Sequence, residues 1–235
     1  MAIHWLNWPV APQVKACFTD RVMGTSEPPF NAFNLAHHVG DKPEHVDANR
    51  RVLQEMTGID ACWVSQVHGT HVVRATPKSL GNEADAVFAA AGDRLAAVVM
   101  TADCLPVFFA SDNGQEVAVA HAGWRGLANG VLEKTLDQFT VSTDQIQCYL
   151  GPAIGPDCFE VGQDVVDAFE AVQTATVVLF LNQAANSLRI FINLRETVST
   201  VLVCHVSVAA RSAPTLRLTS IFPIDAKAKP AVWPV

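Results

Sequence analysis

Apolar residues fall along this chain in short blocks separated by polar turns, and the blocks outline its elements. Leu95 to Met100, Leu105 to Ala110 and Glu116 to Ala120 are short apolar runs, the pattern of strands buried on both faces. Ser111-Asp112-Asn113-Gly114, between the last two, is turn chemistry, with Gly114 free to take positive φ. Val14 to Phe18, Cys62 to Val67 and Ala84 to Phe88 read as further strands. Pro43 to Thr57 reads as a helix: Pro43 suits a first turn, Asp41 is placed to cap, and Val46, Val52, Leu53 and Met56 fall near helical spacing. Leu127, Val131, Leu132, Leu136 and Phe139 give a second helix over Gly126 to Phe139. Ile146 to Leu150 is a strand stopped by Gly151-Pro152, and a rigid loop follows. Gly162 to Val172 is expected to be helical, Thr176 to Leu181 and Arg189 to Asn193 extended, and Leu194 to about Val201 helical again. Thr19 to Gly40 is rich in Gly, Pro and Asn and reads as a loop, long enough inside a compact domain to suggest function. With no repeat and no interdomain linker, residues 1–235 read as a single domain.

Composition narrows the function classes. Half the residues are hydrophobic, enough for a sizeable core, and the net charge of −7 argues against nucleic acid or an anionic membrane as partner. No apolar run reaches the ~18–20 residues of a membrane span. Met1 to Pro9 lacks a basic start followed by an apolar run, so no signal peptide is expected and the chain is placed in the reducing cytoplasm. The six cysteines form no Cys-x-x-Cys pair, so all six are expected to be free thiols.

Two reactive residues interrupt the apolar runs. Cys104 follows Thr101-Ala102-Asp103, and His121 ends the last strand just before Gly123. As a catalytic pair, Cys104 would be a nucleophile and His121 its base. Alternatively both ligate zinc or copper. His68 and His71 stand upstream, at positions that would point to opposite faces of a strand, so one site should take one of them. His68 is favoured because Gly69 lets a ligand approach the backbone. Asp103 is a candidate for orienting a ligand. Arg125, and less so Arg50, suit phosphate binding, since a guanidinium matches phosphate geometry. His37 and His38 read as surface residues.

These residues form a recognisable set. Gln-Val-His-Gly at 66–69, Thr-Ala-Asp-Cys-Leu-Pro-Val at 101–107, His-Ala-Gly-Trp-Arg-Gly at 121–126, Gly-Pro-Ala-Ile-Gly at 151–155 and Phe-Glu-Val-Gly at 159–162 resemble the laccase-domain, multicopper-polyphenol-oxidase-like family. Asn-Leu-Ala-His-His-Val-Gly-Asp at 34–41 and Asn49-Arg50 also fit, and the resemblance spans roughly residues 5 to 200. It implies an α/β (α+β) fold, a layered α-β-β-α sandwich with mixed sheets. It implies a metal ion, zinc or alternatively copper, held by His68, Cys104 and His121, whose donor atoms should lie within about 4 Å of one another given ~2.0–2.3 Å bonds. It further implies phosphorolysis of adenosine, inosine, guanosine and methylthioadenosine, with some adenosine deamination, so that the partners are a purine nucleoside and phosphate. Older descriptions of the family give copper-dependent polyphenol oxidation, and some bacterial members have a peptidoglycan-editing role. A metal-free Cys–His hydrolase and a non-enzymatic binding module complete the alternatives.

The C-terminal segment departs from the family, which is expected to end with Cys-Thr-Tyr, Phe-Ser-Tyr-Arg-Arg and Thr-Gly-Arg-Met-Ala-Ser. Codons for Ser212–Thr215, Ile221–Ala226 and Lys229–Val235, read from each third base, can encode those three stretches in that order. A frameshift near Val201 is the implied cause, so residues from about 202 on are expected to be a non-native tail that packs poorly and leaves activity weak or absent.

Overall fold

The structure, a computed structural model, describes residues 3–155, 158–171, 177–182 and 187–192. In chain order the elements are β1 (Ile3–Trp5), β2 (Cys17–Thr19), α1 (Pro43–Thr57), β3 (Asp60–Cys62), β4 (Val72–Arg74), β5 (Ala86–Ala90), β6 (Leu95–Ala97), β7 (Leu105–Ser111) and β8 (Glu116–Ala122). There follow α2 (Trp124–Ala128), α3 (Val131–Leu136), β9 (Ile146–Leu150), β10 (Glu160–Val161), α4 (Gln163–Ala171), β11 (Val177–Asn182) and β12 (Ser187–Ile192). The fold is mixed α/β, with both parallel and antiparallel strand pairs.

A five-stranded sheet in the order β4-β5-β8-β7-β9 is the frame. Only β4 and β5 run parallel in it; the other pairs are antiparallel. The period of two sorts its side chains. Ala86 and Phe88 of β5, Val107 and Phe109 of β7, and Ala118, Ala120 and Ala122 of β8 pack under Val131, Leu132 and Leu136 of α3 and under Phe139. Val87 and Ala89 of β5 face the other way, into a second cluster with Cys62, Val64 and Val73, joined by Leu95 and Ala97 of the parallel pair β3–β6. Beyond that pair, Leu53 and Val52 of α1 pack against Ile3, Cys17, Phe33 and Trp63. Helix, sheet, smaller strand pairs and helix thus follow one another, which is the α-β-β-α layering the resemblance implied.

Several local expectations needed adjusting. Helix α1 has the expected bounds, but Lys42 takes the N-cap position without a side-chain cap bond. Asp41 instead accepts from the backbone of Lys42 and from Asn34 Nδ2. Met56 is exposed, while Asn49 is fully buried on the inner face. The single helix expected over 126–139 is two: Gly130, at φ 86°, starts α3 from a left-handed position that ends α2. The strand expected over 62–67 stops at Cys62. The hairpin turn between β7 and β8 closes as expected, with Gly114 at φ 66°. Cys148 of β9 is disulfide-bonded, which overturns the expectation of six free thiols. Missing Cys-x-x-Cys spacing excludes only close pairs in sequence, and pairing across the fold leaves no such mark. Cys17, Cys62, Cys104 and Cys158 are free. The helix expected over 194–201 and the non-native tail expected from about residue 202 lie outside the described residues.

The long loop after β2 is tied to α1 by Asn49. Its Nδ2 donates to Ser26 Oγ, Ala32 O and Asn34 O at 3.0, 3.2 and 2.8 Å, and its Oδ1 accepts from Thr25 N at 3.0 Å. A buried side-chain amide is costly unless paired, so this position specifies the loop's path. Asn49→Ala strands those loop groups and is expected to cost about 3 kcal/mol in urea unfolding, at roughly 1–3 kcal/mol per buried group left unpaired. A loss under about 0.5 kcal/mol, the range of ordinary surface changes, contradicts this.

Candidate metal centre

Three segments converge at one end of the central sheet. His121 lies near the end of β8, on the face opposite Ala120 and Ala122. Cys104 immediately precedes β7, which pairs with β8 so that Pro106 stands opposite His121. His68 comes from a bend between β3 and β4 at φ 59°, a left-handed conformation that is uncommon outside glycine. Gln66 clips that bend to the segment before Cys104: its Nε2 donates to Met100 O at 2.8 Å and its Oε1 accepts from Met100 N at 2.7 Å. The ligand atoms of His68, Cys104 and His121 all lie within 4.8 Å of one another. This spread exceeds the expected 4 Å or so. His71 is not in the group; its Nδ1 is taken by Glu83 O at 2.7 Å. The reason differs from strand alternation, since residues 66–71 form no strand and the bend alone turns His68 inward.

A residue that sequence reasoning missed holds this arrangement. Asp85, just before β5, is fully buried. Its Oδ1 accepts from His121 Nδ1 at 2.9 Å and from the backbone N–H of His68 at 2.9 Å. Its Oδ2 accepts from the N–H groups of Val67 and Gly69 at 3.2 and 2.7 Å. Burial alone would raise the Asp85 carboxyl, but the bonds from His121, Gly69 and Val67 outweigh it and hold it below the usual carboxylate range. One signal was available: an acid set between Ala84 and Ala86 at the start of an apolar strand must be paired if it is buried. Asp103, the sequence candidate for orienting a ligand, is exposed; its carboxylate accepts a hydrogen bond from the Cys104 thiol rather than from an imidazole. Its backbone carbonyl instead accepts from Ile154 N at 2.9 Å, which fastens the 151–155 loop beside Cys104.

The electrostatics suit a cation. Partial desolvation of the otherwise exposed His68 ring, then the neighbouring His121, lowers its imidazole below the ordinary value, which favours the neutral form that ligates a metal. Burial, then the neighbouring Asp103 carboxylate, pushes the Cys104 thiol up to about 11. Without a cation beside it, this thiol stays protonated at neutral pH. Two imidazoles and a sulfur are a donor set for zinc or copper, and three protein ligands leave a position open. Gly123 leaves the space: a Cβ there would lie 3.0 Å from His68 Cδ2, 3.2 Å from Cys104 Sγ and 3.6 Å from His121 Cε1.

Known proteins place this geometry. A sequence profile of the family described as multi-copper polyphenol oxidoreductase laccase matches residues 15–215. The chain belongs to that family. Relatives within it include a purine nucleoside phosphorylase of Pseudomonas aeruginosa, 47% identical over 182 residues, which are 77% of this chain and 74% of that protein. The purine nucleoside phosphorylase YfiH of Escherichia coli is 44% identical over 178 residues, 74% of this chain and 73% of its own. Among solved structures, a protein of Neisseria meningitidis aligns with a TM-score of 0.69 at 42% identity, covering 76% of each chain. No helix among the described residues is long and apolar enough to cross a membrane.

The arginine candidates of this laccase-family chain differ in setting. Arg125, in the first turn of α2, is exposed, stacks on Trp124 at 4.2 Å, and its charge acts on His68. Arg50, on α1, stacks on Trp63 at 4.0 Å and donates Nε to Leu35 O at 2.9 Å. Burial lowers Arg50 to about 10, and no described carboxylate hydrogen-bonds it. His37 and His38 are exposed, and His37 meets Asp47 at 3.0 Å.

Gly123→Ala puts a methyl group into the space bounded by the three donors. It is expected to weaken zinc binding at least tenfold, read by competition with a chromophoric chelator, with little change in the thermal midpoint of the metal-free protein. Unchanged affinity would show that the cavity beside Gly123 is not where the ion sits.

Proposed function

We propose that this chain is a metal-dependent purine nucleoside phosphorylase, with zinc the expected ion. The observation that carries the reading is the convergence of His68, Cys104 and His121 in a chain 41–47% identical to proteins named purine nucleoside phosphorylase. In the reaction a phosphate oxygen bonds to ribose C1′ as the bond from C1′ to the purine nitrogen breaks, and the base leaves with the bonding electrons. His68, Cys104 and His121 would hold the ion, which when bound supplies Lewis-acid polarisation of a substrate oxygen or water. Arg125 is free to meet phosphate, since its guanidinium has no carboxylate partner among the described residues. Its planar donors suit two phosphate oxygens at once. Arg50 is the second candidate, a half-buried cation without a bonded carboxylate among the described residues.

Two other chemistries are less well supported. A metal-free Cys–His hydrolase needs a thiolate, and Cys104 is pushed up to about 11. Multi-copper oxidation needs several metal sites, and the described residues contain a single group of three suitable donors.

The test is phosphate-dependent release of adenine from adenosine by zinc-loaded protein, with copper-loaded protein assayed in parallel. A non-native segment from about residue 202 on, as read from the sequence, would lower turnover, so the measured quantity is a ratio. Cys104→Ala is expected to lower the rate at least a hundredfold, with the fold retained because Cys104 lies outside the core clusters. Unchanged turnover in that variant contradicts the reading.

A further inference from the structure

Asp85 accepts four hydrogen bonds, one from an imidazole and three from consecutive backbone N–H groups. A carboxylate is acceptor-only, so the ring nitrogen of His121 that faces it at 2.9 Å must carry a hydrogen. A neutral imidazole has one N–H, which leaves Nε2 with a bare lone pair. The ring edge carrying Cε1 is the one that faces the space beside Gly123, together with His68 Cδ2 and Cys104 Sγ. The same carboxylate gathers the N–H groups of Val67, His68 and Gly69. Those bonds offset the cost of the left-handed conformation at His68.

We propose that Asp85 is the positioning residue of the metal centre: it holds the His121 proton on Nδ1, so that Nε2 can ligate, and it locks the bend that delivers His68. The proposal rests on the metal reading above. One buried group thereby sets two of the three ligands, and losing either acceptor oxygen disturbs at least one of them. Asn shows why. With its NH2 in place of Oδ2 it opposes the N–H groups of Val67 and Gly69, and the bend opens. With its NH2 in place of Oδ1 it donates to His121 Nδ1, which moves the ring proton to Nε2 and blocks that nitrogen. No orientation of the amide satisfies both sides.

The experiment has two arms on the full chain. In the first, 15N-labelled imidazoles of the metal-free parent are read by NMR above about pH 8, where an ordinary histidine is neutral. The expected result is a protonated Nδ1 and a bare Nε2 on His121; the opposite tautomer overturns the proposal whether or not any metal binds. In the second, parent and Asp85→Asn compete with a chromophoric chelator for Zn2+, and their Co2+ forms are compared by visible absorption. A 10–100-fold loss of affinity with an altered Co2+ spectrum is expected, the range for removing a group that orients a ligand. Unchanged affinity and spectrum in folded Asp85→Asn overturn it. If that variant does not fold, the tautomer of the parent decides. A parent that takes up no metal contradicts the metal reading and the ligand role of Nε2 with it, while the tautomer arm still tests what Asp85 does to the ring.

Discussion

The buried carboxylate of Asp85 is the constraint on which the site depends. A carboxylate removed from water costs several kcal/mol unless its lone pairs are matched, and here four N–H donors match them. The backbone of Asp85 is bound as well: its N–H donates to His71 O and its carbonyl accepts from His121 N. A residue tied in this way to β8 and to both sides of the 67–71 bend fixes their mutual position. Asp85 thereby ties two of the three donor residues, His68 and His121, while Cys104 immediately precedes its strand.

Much of the frame was legible in the sequence because the central strands are apolar on both faces. The bounds of α1 and β9 follow directly from Pro43, helical spacing and Gly151-Pro152. The errors have identifiable physical sources. Gly130 lies among good helical positions, yet its left-handed φ of 86° splits the helix into α2 and α3. His68 takes a conformation that propensity disfavours, and the bonds that support it come from Asp85, 17 residues away. The disulfide of Cys148 likewise leaves no mark in the local cysteine spacing. Asn49 reads as an ordinary polar residue on a helix, and only the path of the preceding loop makes it a buried anchor. Local sequence carries periodicity and turn chemistry; it does not carry which distant donor will meet a lone acid.

The family description and the site differ in kind. Polyphenol oxidation by a multi-copper enzyme requires electrons to pass through several metal ions, whereas the described residues gather one set of two imidazoles and one thiol. One such donor set, with a guanidinium nearby that has no carboxylate partner among the described residues, suits group transfer to phosphate better. Phosphorolysis and oxidation thus make opposite demands on the number of ions, and the donor inventory favours the first.

The central claim is that His68, Cys104 and His121 together bind one metal ion. X-ray absorption at the metal edge of purified protein tests it most directly. The account predicts one ion per chain with two nitrogen ligands at ~2.0–2.1 Å and one sulfur at ~2.3 Å. A stoichiometric ion with no sulfur in its shell, or protein that takes up no ion, would contradict it.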